Sequence, residues 1–185
     1  MIRAWLMVMA VVLAGCSYVQ QFKPRDTSAQ GPQLVVEFEG GGVAVYELNM
    51  SRPEMVYPFI RKVDEGFYDG LYVHRVVPGL FVQTGEGSWL RRAPWAITAP
   101  QKEGRAAHLG EIGLVENPNG TYGPYLNMMF GGTDVETSLV PQTLVLGWLV
   151  DGASAVKSLK KGDKIFRIYG RGFGAAREPA RRDGQ

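Results

Sequence analysis

The sequence of 185 residues is poor in the side chains that carry covalent or metal chemistry. It holds a single cysteine, Cys16, so no disulfide can form within the chain. Its two histidines, His74 and His108, stand far apart, and no pair of histidines or cysteines has the spacing of metal ligands. We therefore expect neither a metal site nor a cofactor.

The sequence also lacks a surplus of charge and a long apolar run. The 20 lysines and arginines face 18 aspartates and glutamates, for a formal net charge of +2. Basic residues cluster only in the C-terminal "REPARRDGQ", which is typical of a disordered tail. This balance gives no reason to expect nucleic acid as a partner. No segment has the roughly 20 consecutive apolar residues that a membrane-spanning helix needs.

Residues 1–15, "MIRAWLMVMAVVLAG", have the pattern of a cleavable export signal. Arg3 precedes about ten apolar residues, and small residues follow them. With Cys16, the segment "LAGC" resembles the lipobox of bacterial lipoproteins, which implies removal of the signal and acylation of the cysteine. Ser17 is similar to the pattern sent to the outer membrane, since aspartate there is the usual inner-membrane retention signal. The alternative is an ordinary secretory signal with a chance cysteine.

The expected location is therefore the bacterial cell envelope, with a lipid anchor at Cys16 in the outer membrane and the chain facing the periplasm. Two or three acyl chains suffice for stable anchoring, because each buried methylene contributes about 0.8 kcal/mol. Residues 16–33 are polar and contain two prolines, which predicts a tether. Residues 34–172 suffice for one domain, and residues 173–185 are expected to be a disordered tail. We expect a monomer.

Short apolar strands punctuated by glycine dominate the predicted domain. "QLVVEFE" and "VAVYEL" flank a glycine turn and predict a hairpin. Further strands are predicted at "GLYVHRVV", "GLFVQTG", "GEIGLVE", "PYLNMMF", "QTLVLGWLV" and "KIFRIYG", and a short helix at "GASAVKSLKKG". With one more helix near the start, this order predicts a mainly β fold, a closed antiparallel barrel capped by two helices.

The first helix is predicted over residues 51–66, "SRPEMVYPFIRKVDEG". Ser51 is the expected N-cap, Pro53 suits the first turn and Gly66 suits the end. Four apolar residues recur at helical spacing and predict one buried face: Met55, Phe59, Ile60 and Val63. Pro58 removes a backbone hydrogen bond and clashes with the preceding turn, so we expect the regular helix to start late or to kink there.

The stretch "YVHRVVPGLFVQTGEG", residues 72–87, resembles the signature of the cyclophilins, the β-barrel family of peptidyl-prolyl isomerases. That signature runs through an aromatic residue, His-Arg, two aliphatic residues, Pro-Gly, two large apolar residues and a glutamine. The preceding "RPEMVYPFIRKVDEGFYDGL" is similar to the family's first helix and the turn after it. The resemblance extends from about Leu34 to Gly170, and it implies a cyclophilin-like barrel with isomerase activity.

The resemblance assigns catalysis to Arg75. Rotation about an X-Pro bond takes the amide out of plane over a barrier of about 18–20 kcal/mol. In the twisted state the prolyl nitrogen recovers its lone pair and can accept a hydrogen bond from a fixed guanidinium, which can also hold the adjoining carbonyl oxygen. Such a contact is stronger in the transition state than in the ground state, which is the condition for catalysis.

The resemblance also implies a glutamine and an apolar pocket beside the arginine. Gln83 occupies the place of the glutamine that helps to orient the arginine. Apolar residues implied to bind the substrate, together with one that we add from the first helix, are Leu80, Phe81, Val115, Tyr125, Leu139 and Phe59. Glu116 stands where the family has an asparagine whose backbone binds substrate. Three rim residues depart from the family pattern: Gly123, Ser138 and Thr143.

Two hypotheses about function follow. The first is a peptidyl-prolyl isomerase that assists the folding of exported proteins, favoured by Arg75 and Gln83. The alternative is a catalytically weak module of the same fold that binds proline-containing segments of an envelope partner, favoured by Gly123, Ser138 and Glu116. A purely structural lipoprotein would leave the surroundings of the arginine unexplained.

Several residues also have plainer interpretations. Arg75 can be a structural residue that pairs with a carboxylate such as Glu116. His74 is interpreted as a hydrogen-bonded residue of the barrel rather than as an acid or base. Trp89 and Trp95, in the loop-rich insertion after residue 87, either cap the barrel or are exposed and bind a partner or the membrane surface.

Overall fold

The computed structural model describes residues 31–86, 95–99, 102–131 and 139–173. The predicted signal, Cys16, nearly all of the tether, Trp89, Ser138 and the tail beyond residue 173 lie outside the described residues. The described part holds these strands and helices: β1 (Gln33–Phe38), β2 (Val43–Leu48), α1 (Pro53–Asp64), β3 (Arg75–Val77), β4 (Phe81–Thr84), β5 (Arg105–Ala106), β6 (Glu111–Glu116), β7 (Tyr122–Met129), β8 (Gln142–Asp151), α2 (Ala153–Ser158) and β9 (Ile165–Arg171). Neither helix of these ranges has the length and apolarity that crossing a bilayer would take.

The strands form one curled antiparallel sheet. Its order is β3-β4-β7-β6-β8-β2-β1-β9, with β5 paired to β8. The two edges, β3 and β9, approach each other through the chain just before them: Tyr72 bridges Lys164, and the Val73 N–H donates to the carbonyl of Asp163 at 2.7 Å. The predicted mainly β antiparallel fold with two helices is confirmed, as a half-barrel whose edges meet through these irregular contacts rather than through a full ladder.

The main core fills the concave side of the sheet, and both helices pack on it. Alternate strand residues such as Val82 and Met128 point into this core, because successive side chains of a strand face opposite sides. Helix α1 contributes a full stripe, and α2 contributes Val156. A second, small cluster is formed by other strand and loop residues: Leu80, Phe81, Ala107, Met129 and Val140. The face turned away from the main core is therefore also packed near β4 and β7.

Helix α1 differs from its prediction at two residues. It begins at Pro53, ends at Asp64 and includes Pro58, so the expected late start is wrong. The hydrogen bond that Pro58 cannot donate would go to the carbonyl of Glu54, in the exposed first turn, where water can replace it. Ser51 does not cap the helix; its hydroxyl donates to the side chain of Asn49 at 2.6 Å.

The described part of the insertion packs against the barrel. Trp95 is partly buried, with its ring edge-on to Phe67 at a centroid distance of 5.7 Å and tilted against Phe59 at 6.5 Å. Of the two interpretations of this residue, capping of the barrel is the one observed. Farther along the chain, Nη1 and Nη2 of Arg52 each donate a hydrogen bond to the Glu103 carboxylate, which joins the insertion to the start of α1.

Candidate active site

The β3–β4 hairpin presents Arg75 on the outer face of the sheet. Val76 and Val82 point into the main core, so their neighbours Arg75 and Gln83 point outward. The tight turn between the strands uses Gly79 at φ +75°, a conformation that glycine adopts without steric cost. Arg75 is exposed and stands directly opposite Gln83 in the strand register.

The guanidinium of Arg75 is held by an aromatic ring and a carbonyl oxygen. Its carbon Cζ lies 4.9 Å from the ring centroid of Phe81, within the range of a cation–π contact. Its Nη2 donates to the backbone carbonyl of Leu139 at 3.5 Å. Among the described residues no carboxylate forms an ion pair with Arg75. Within these described ranges the charge is thus held in place but not neutralised, and the pairing of Arg75 with Glu116 is not observed, because Glu116 faces Lys102.

Gln83 bonds to His74 rather than to the arginine. The Nε2 of His74 lies 3.1 Å from Oε1 of Gln83, and the His74 N–H donates to the Gln83 carbonyl at 3.0 Å. The predicted role of Gln83, direct orientation of the arginine, is therefore replaced in this structure by a contact with the neighbouring histidine. Because Gln83 is buried, its contact with His74 holds the His74 side chain in place.

His74 is partly buried and its ring lies against Tyr125, with centroids 5.4 Å apart. Burial lowers the pKa of His74 below its ordinary value; the hydrogen bond that Gln83 Oε1 accepts from the imidazole and the charge of Glu86 oppose this shift, and the charges of Arg75 and Lys161 add to it. The imidazole is therefore neutral at pH 7. Its interpretation as a hydrogen-bonded barrel residue holds for Nε2, whereas Nδ1 is buried without a partner among the described residues.

Leu80 and Phe81 are buried instead of lining an open pocket. Both are fully buried in the small outer cluster, and the Arg75 guanidinium covers the ring of Phe81. They expose no surface to a bound peptide, so their predicted role as substrate-contacting residues is corrected to one of support. A rigid apolar base under a cation limits the directions in which it can point.

Three of the predicted substrate-binding residues are at least partly exposed. Leu139 is 43% exposed, and its carbonyl accepts the bond from Arg75. Tyr125 is partly buried on β7 beside His74. Val115 is partly buried on β6, where the register with β7 shifts between Leu114 and Glu116. These residues offer the apolar surface that a prolyl ring needs.

Phe59 and Glu116 do not occupy the places predicted for them. Phe59 is fully buried in the main core between Tyr68 and Trp95, so its assignment as a substrate-binding residue is wrong. Its helical spacing had already indicated a core residue. The side chain of Glu116 is turned to the insertion, where Oε1 lies 3.6 Å from Nζ of Lys102. Only its backbone remains available for the role that the family's asparagine has.

The two rim residues that the structure describes, Gly123 and Thr143, are both buried. Gly123 is buried beside Trp95, and its φ of +107° disfavours any larger residue. Thr143 is fully buried, with its hydroxyl donating to the carbonyl of Pro141 at 2.8 Å. Neither of these positions can extend a polar side chain towards a peptide.

One polar residue of the site region, Asn127, was not predicted from the sequence. Asn127 is fully buried on β7, directly opposite Gln83 in the register of β4 and β7. The available signal was the single amide in the apolar run "PYLNMMF", at the alternate positions that face away from the core.

Comparison with known proteins identifies the family. The family model described as cyclophilin type peptidyl-prolyl cis-trans isomerase/CLD matches residues 34–122. A peptidyl-prolyl cis-trans isomerase of Synechococcus elongatus is 38% identical over 154 residues, which cover 74% of this chain and 94% of that protein. The chain belongs to the cyclophilin-type peptidyl-prolyl isomerases.

Two further similarities agree with this family. A probable peptidyl-prolyl cis-trans isomerase of Brucella abortus is 27% identical over 180 residues, covering 88% of this chain and 87% of that protein. The fold resembles the crystal structure of a cyclophilin-type isomerase from Cryptosporidium parvum, obtained in the presence of the dipeptide Ala-Pro. The TM-score is 0.60 at 15% identity, and the match covers 76% of this chain and 99% of that one.

A cyclophilin site needs a fixed hydrogen-bond donor and an apolar surface, and it needs no proton transfer. Here the donor is the Arg75 guanidinium, since arginine stays charged and keeps a rigid planar fork. The exposed apolar surface is that of Leu139 and Tyr125. A neutral His74 adds no competing charge to the site. The arrangement suits stabilisation of a twisted amide, in which charge is redistributed but no covalent bond breaks.

Proposed function

We propose that this cyclophilin is a lipid-anchored isomerase of the bacterial envelope that assists the folding of exported proteins. Its substrates are proline-containing polypeptides, and its anchor is a lipid on Cys16. Support for the location comes from the sequence alone: Arg3, the apolar run that follows it and "LAGC" fit a lipoprotein signal. Ser17 favours the outer membrane, with the barrel facing the periplasm.

The observation that carries the catalytic part of the proposal is the exposed guanidinium of Arg75, which forms no ion pair within the described part of the chain. Isomerisation of X-Pro bonds takes tens to hundreds of seconds without a catalyst, which is slow enough to limit folding. An exported chain reaches the envelope unfolded and can be trapped with a wrong prolyl isomer. An isomerase tethered to the membrane would act on such chains where they arrive.

Replacement of the cysteine tests the anchor. We expect Cys16→Ser to move the protein from the membrane fraction to the soluble periplasmic fraction, because the acyl chains supply the membrane affinity. The measurement is fractionation of cells that express the full chain. Ser17→Ala is the matched control and should stay with the outer membrane, whereas Ser17→Asp should shift to the inner membrane. Cys16→Ser protein that still sediments with membranes would contradict the lipid anchor.

A second candidate function is a module that binds proline-containing segments of an envelope partner with little catalysis. The specific observation in its favour is the reduced rim, where Gly123 has no side chain and Leu80 and Phe81 are closed off. Peptide contacts that are lost at the rim lower affinity and selectivity before they affect the arginine. Saturable peptide binding with unchanged exchange between cis and trans forms would favour this module over the enzyme.

A further inference from the structure

Asn127 is a buried amide without a full set of partners. Its side chain is 0% exposed on β7. Its Nδ2 donates to the sulfur of Met129 at 3.7 Å, a weak bond, and its Oδ1 has no hydrogen-bond partner among the described residues. A buried polar atom without a partner destabilises the folded state, because it loses its bonds to water and gains none in return.

The strand register places this amide in line with the two catalytic-site residues. Arg75 stands opposite Gln83 between β3 and β4, and Gln83 stands opposite Asn127 between β4 and β7. Directly opposed side chains on one face have Cβ atoms about 4.5–5.5 Å apart. The next residue of the row, on β6, is Gly113, which offers no side chain. Gln83 is therefore the polar side chain that the strand register places directly beside Asn127.

An apolar residue of the same shape would suit this position better if stability alone mattered. The surroundings are apolar, since Met129 and Phe81 belong to the small outer cluster. Leucine there would remove the unpaired oxygen and keep the volume. A polar group that weakens the fold at this point calls for a functional reason.

We infer that Asn127 is a positioning residue that acts on Arg75 through Gln83. The carboxamide of Gln83 bonds to His74 through Oε1, which leaves its NH₂ group able to donate. When the X-Pro bond of a bound peptide twists at Arg75, this NH₂ group donates to Oδ1 of Asn127, and Gln83 is fixed from both sides. Because the bond forms with the twisted amide and is absent in the complex with the planar amide, it favours the transition state over the bound ground state. The inference rests on the isomerase activity proposed above.

Asn127→Leu tests this role in the purified full chain. NMR exchange spectroscopy on a short Ala-Pro peptide gives kcat and KM, and thermal unfolding gives Tm. We expect kcat to fall about three- to tenfold, the range of one lost hydrogen bond, with KM unchanged and Tm no lower than in the wild type. Tyr46→Phe is the matched control, since the Tyr46 hydroxyl is also buried and unpartnered but lies in the main core. It should leave kcat unchanged.

A double-mutant cycle with Gln83→Leu separates action through Gln83 from a general effect. We expect Asn127→Leu to cause no further loss of kcat once Gln83 is replaced. An additive loss, an unchanged kcat in Asn127→Leu, or a loss of kcat that accompanies a lower Tm would each overturn the inference. A wild-type protein that does not accelerate exchange at all would overturn the isomerase proposal itself, and the inference with it.

Discussion

Arg75 is exposed, and its guanidinium is nevertheless held in place by two contacts. A carboxylate partner would occupy the guanidinium N–H groups with strong bonds and reduce their availability to a substrate. The ring of Phe81 and the carbonyl of Leu139 hold the group without that competition, since one is a weak cation–π contact and the other a single bond at 3.5 Å. The arginine can therefore exchange the bond to Leu139 for one to a peptide.

The residue scale also gives a prediction about pH. Burial lowers the pKa of His74, so the folded protein binds this proton less readily than the unfolded chain, where the pKa is about 6.5. The stability that the neutral imidazole contributes is present above that value and is lost as the pH falls through the folded pKa. We expect Tm to fall less between pH 7.5 and pH 5.5 in His74→Gln than in the wild type.

His108→Gln serves as the control for this pH measurement, because His108 is exposed. It should show the same change of Tm with pH as the wild type. Equal pH responses of the wild type and His74→Gln would contradict the proposed titration. The groups whose charges act on His74 are Glu86, Arg75 and Lys161, and they are present in both variants.

At the scale of elements, the site depends on the close approach of β6 and β8. A Cβ added at Gly113 would lie 2.2 Å from the Leu144 carbonyl oxygen and 2.7 Å from Cγ2 of Thr143. Both are too short for any contact, so β6 would have to move away from β8. Since β7 pairs with β6, the movement would reach the strand that carries Tyr125.

Gly113→Ala should therefore destabilise the fold by about 1–3 kcal/mol, the usual cost of overpacking. Urea unfolding measures this free energy, and a lowered kcat/KM should accompany it. Gly40→Ala is the matched control, because nothing lies within 4 Å of its added Cβ. Equal midpoints of unfolding for the two variants would show that β6 and β8 tolerate the methyl group.

The elements were predictable to different degrees, for physical reasons. The β1–β2 hairpin and the buried face of α1 follow from the local spacing of apolar residues, and the structure shows both elements where that spacing predicts them. Pro58 was misjudged because its missing bond falls in a solvated turn, a fact that depends on exposure rather than on sequence. The two-residue strand β5 was missed, since so short a pairing is set by its partner β8 and not by its own residues.

At the scale of the whole molecule, the family signature predicted more than composition did. It gave the fold family and singled out Arg75 and Gln83, because their positions are fixed relative to the other residues of the signature. It could not give the partners of side chains: Gln83 meets His74, and Glu116 meets Lys102. These contacts depend on how the insertion and the neighbouring strands pack, and at Glu116 this chain also differs from the family pattern.

The central claim is that the Arg75 guanidinium accelerates prolyl isomerisation from the outer face of the barrel. The direct measurement is NMR exchange between cis and trans forms of an X-Pro peptide series, with wild type and Arg75→Ala compared. Loss of a preorganised donor predicts a fall of kcat/KM by about 10²–10³, with only partial recovery in Arg75→Lys. Arg167→Ala is the matched control, an exposed arginine likewise stacked on a ring, that of Tyr169 at 4.6 Å, and it should keep the wild-type rate. An Arg75→Ala protein that accelerates exchange as the wild type does would contradict the account.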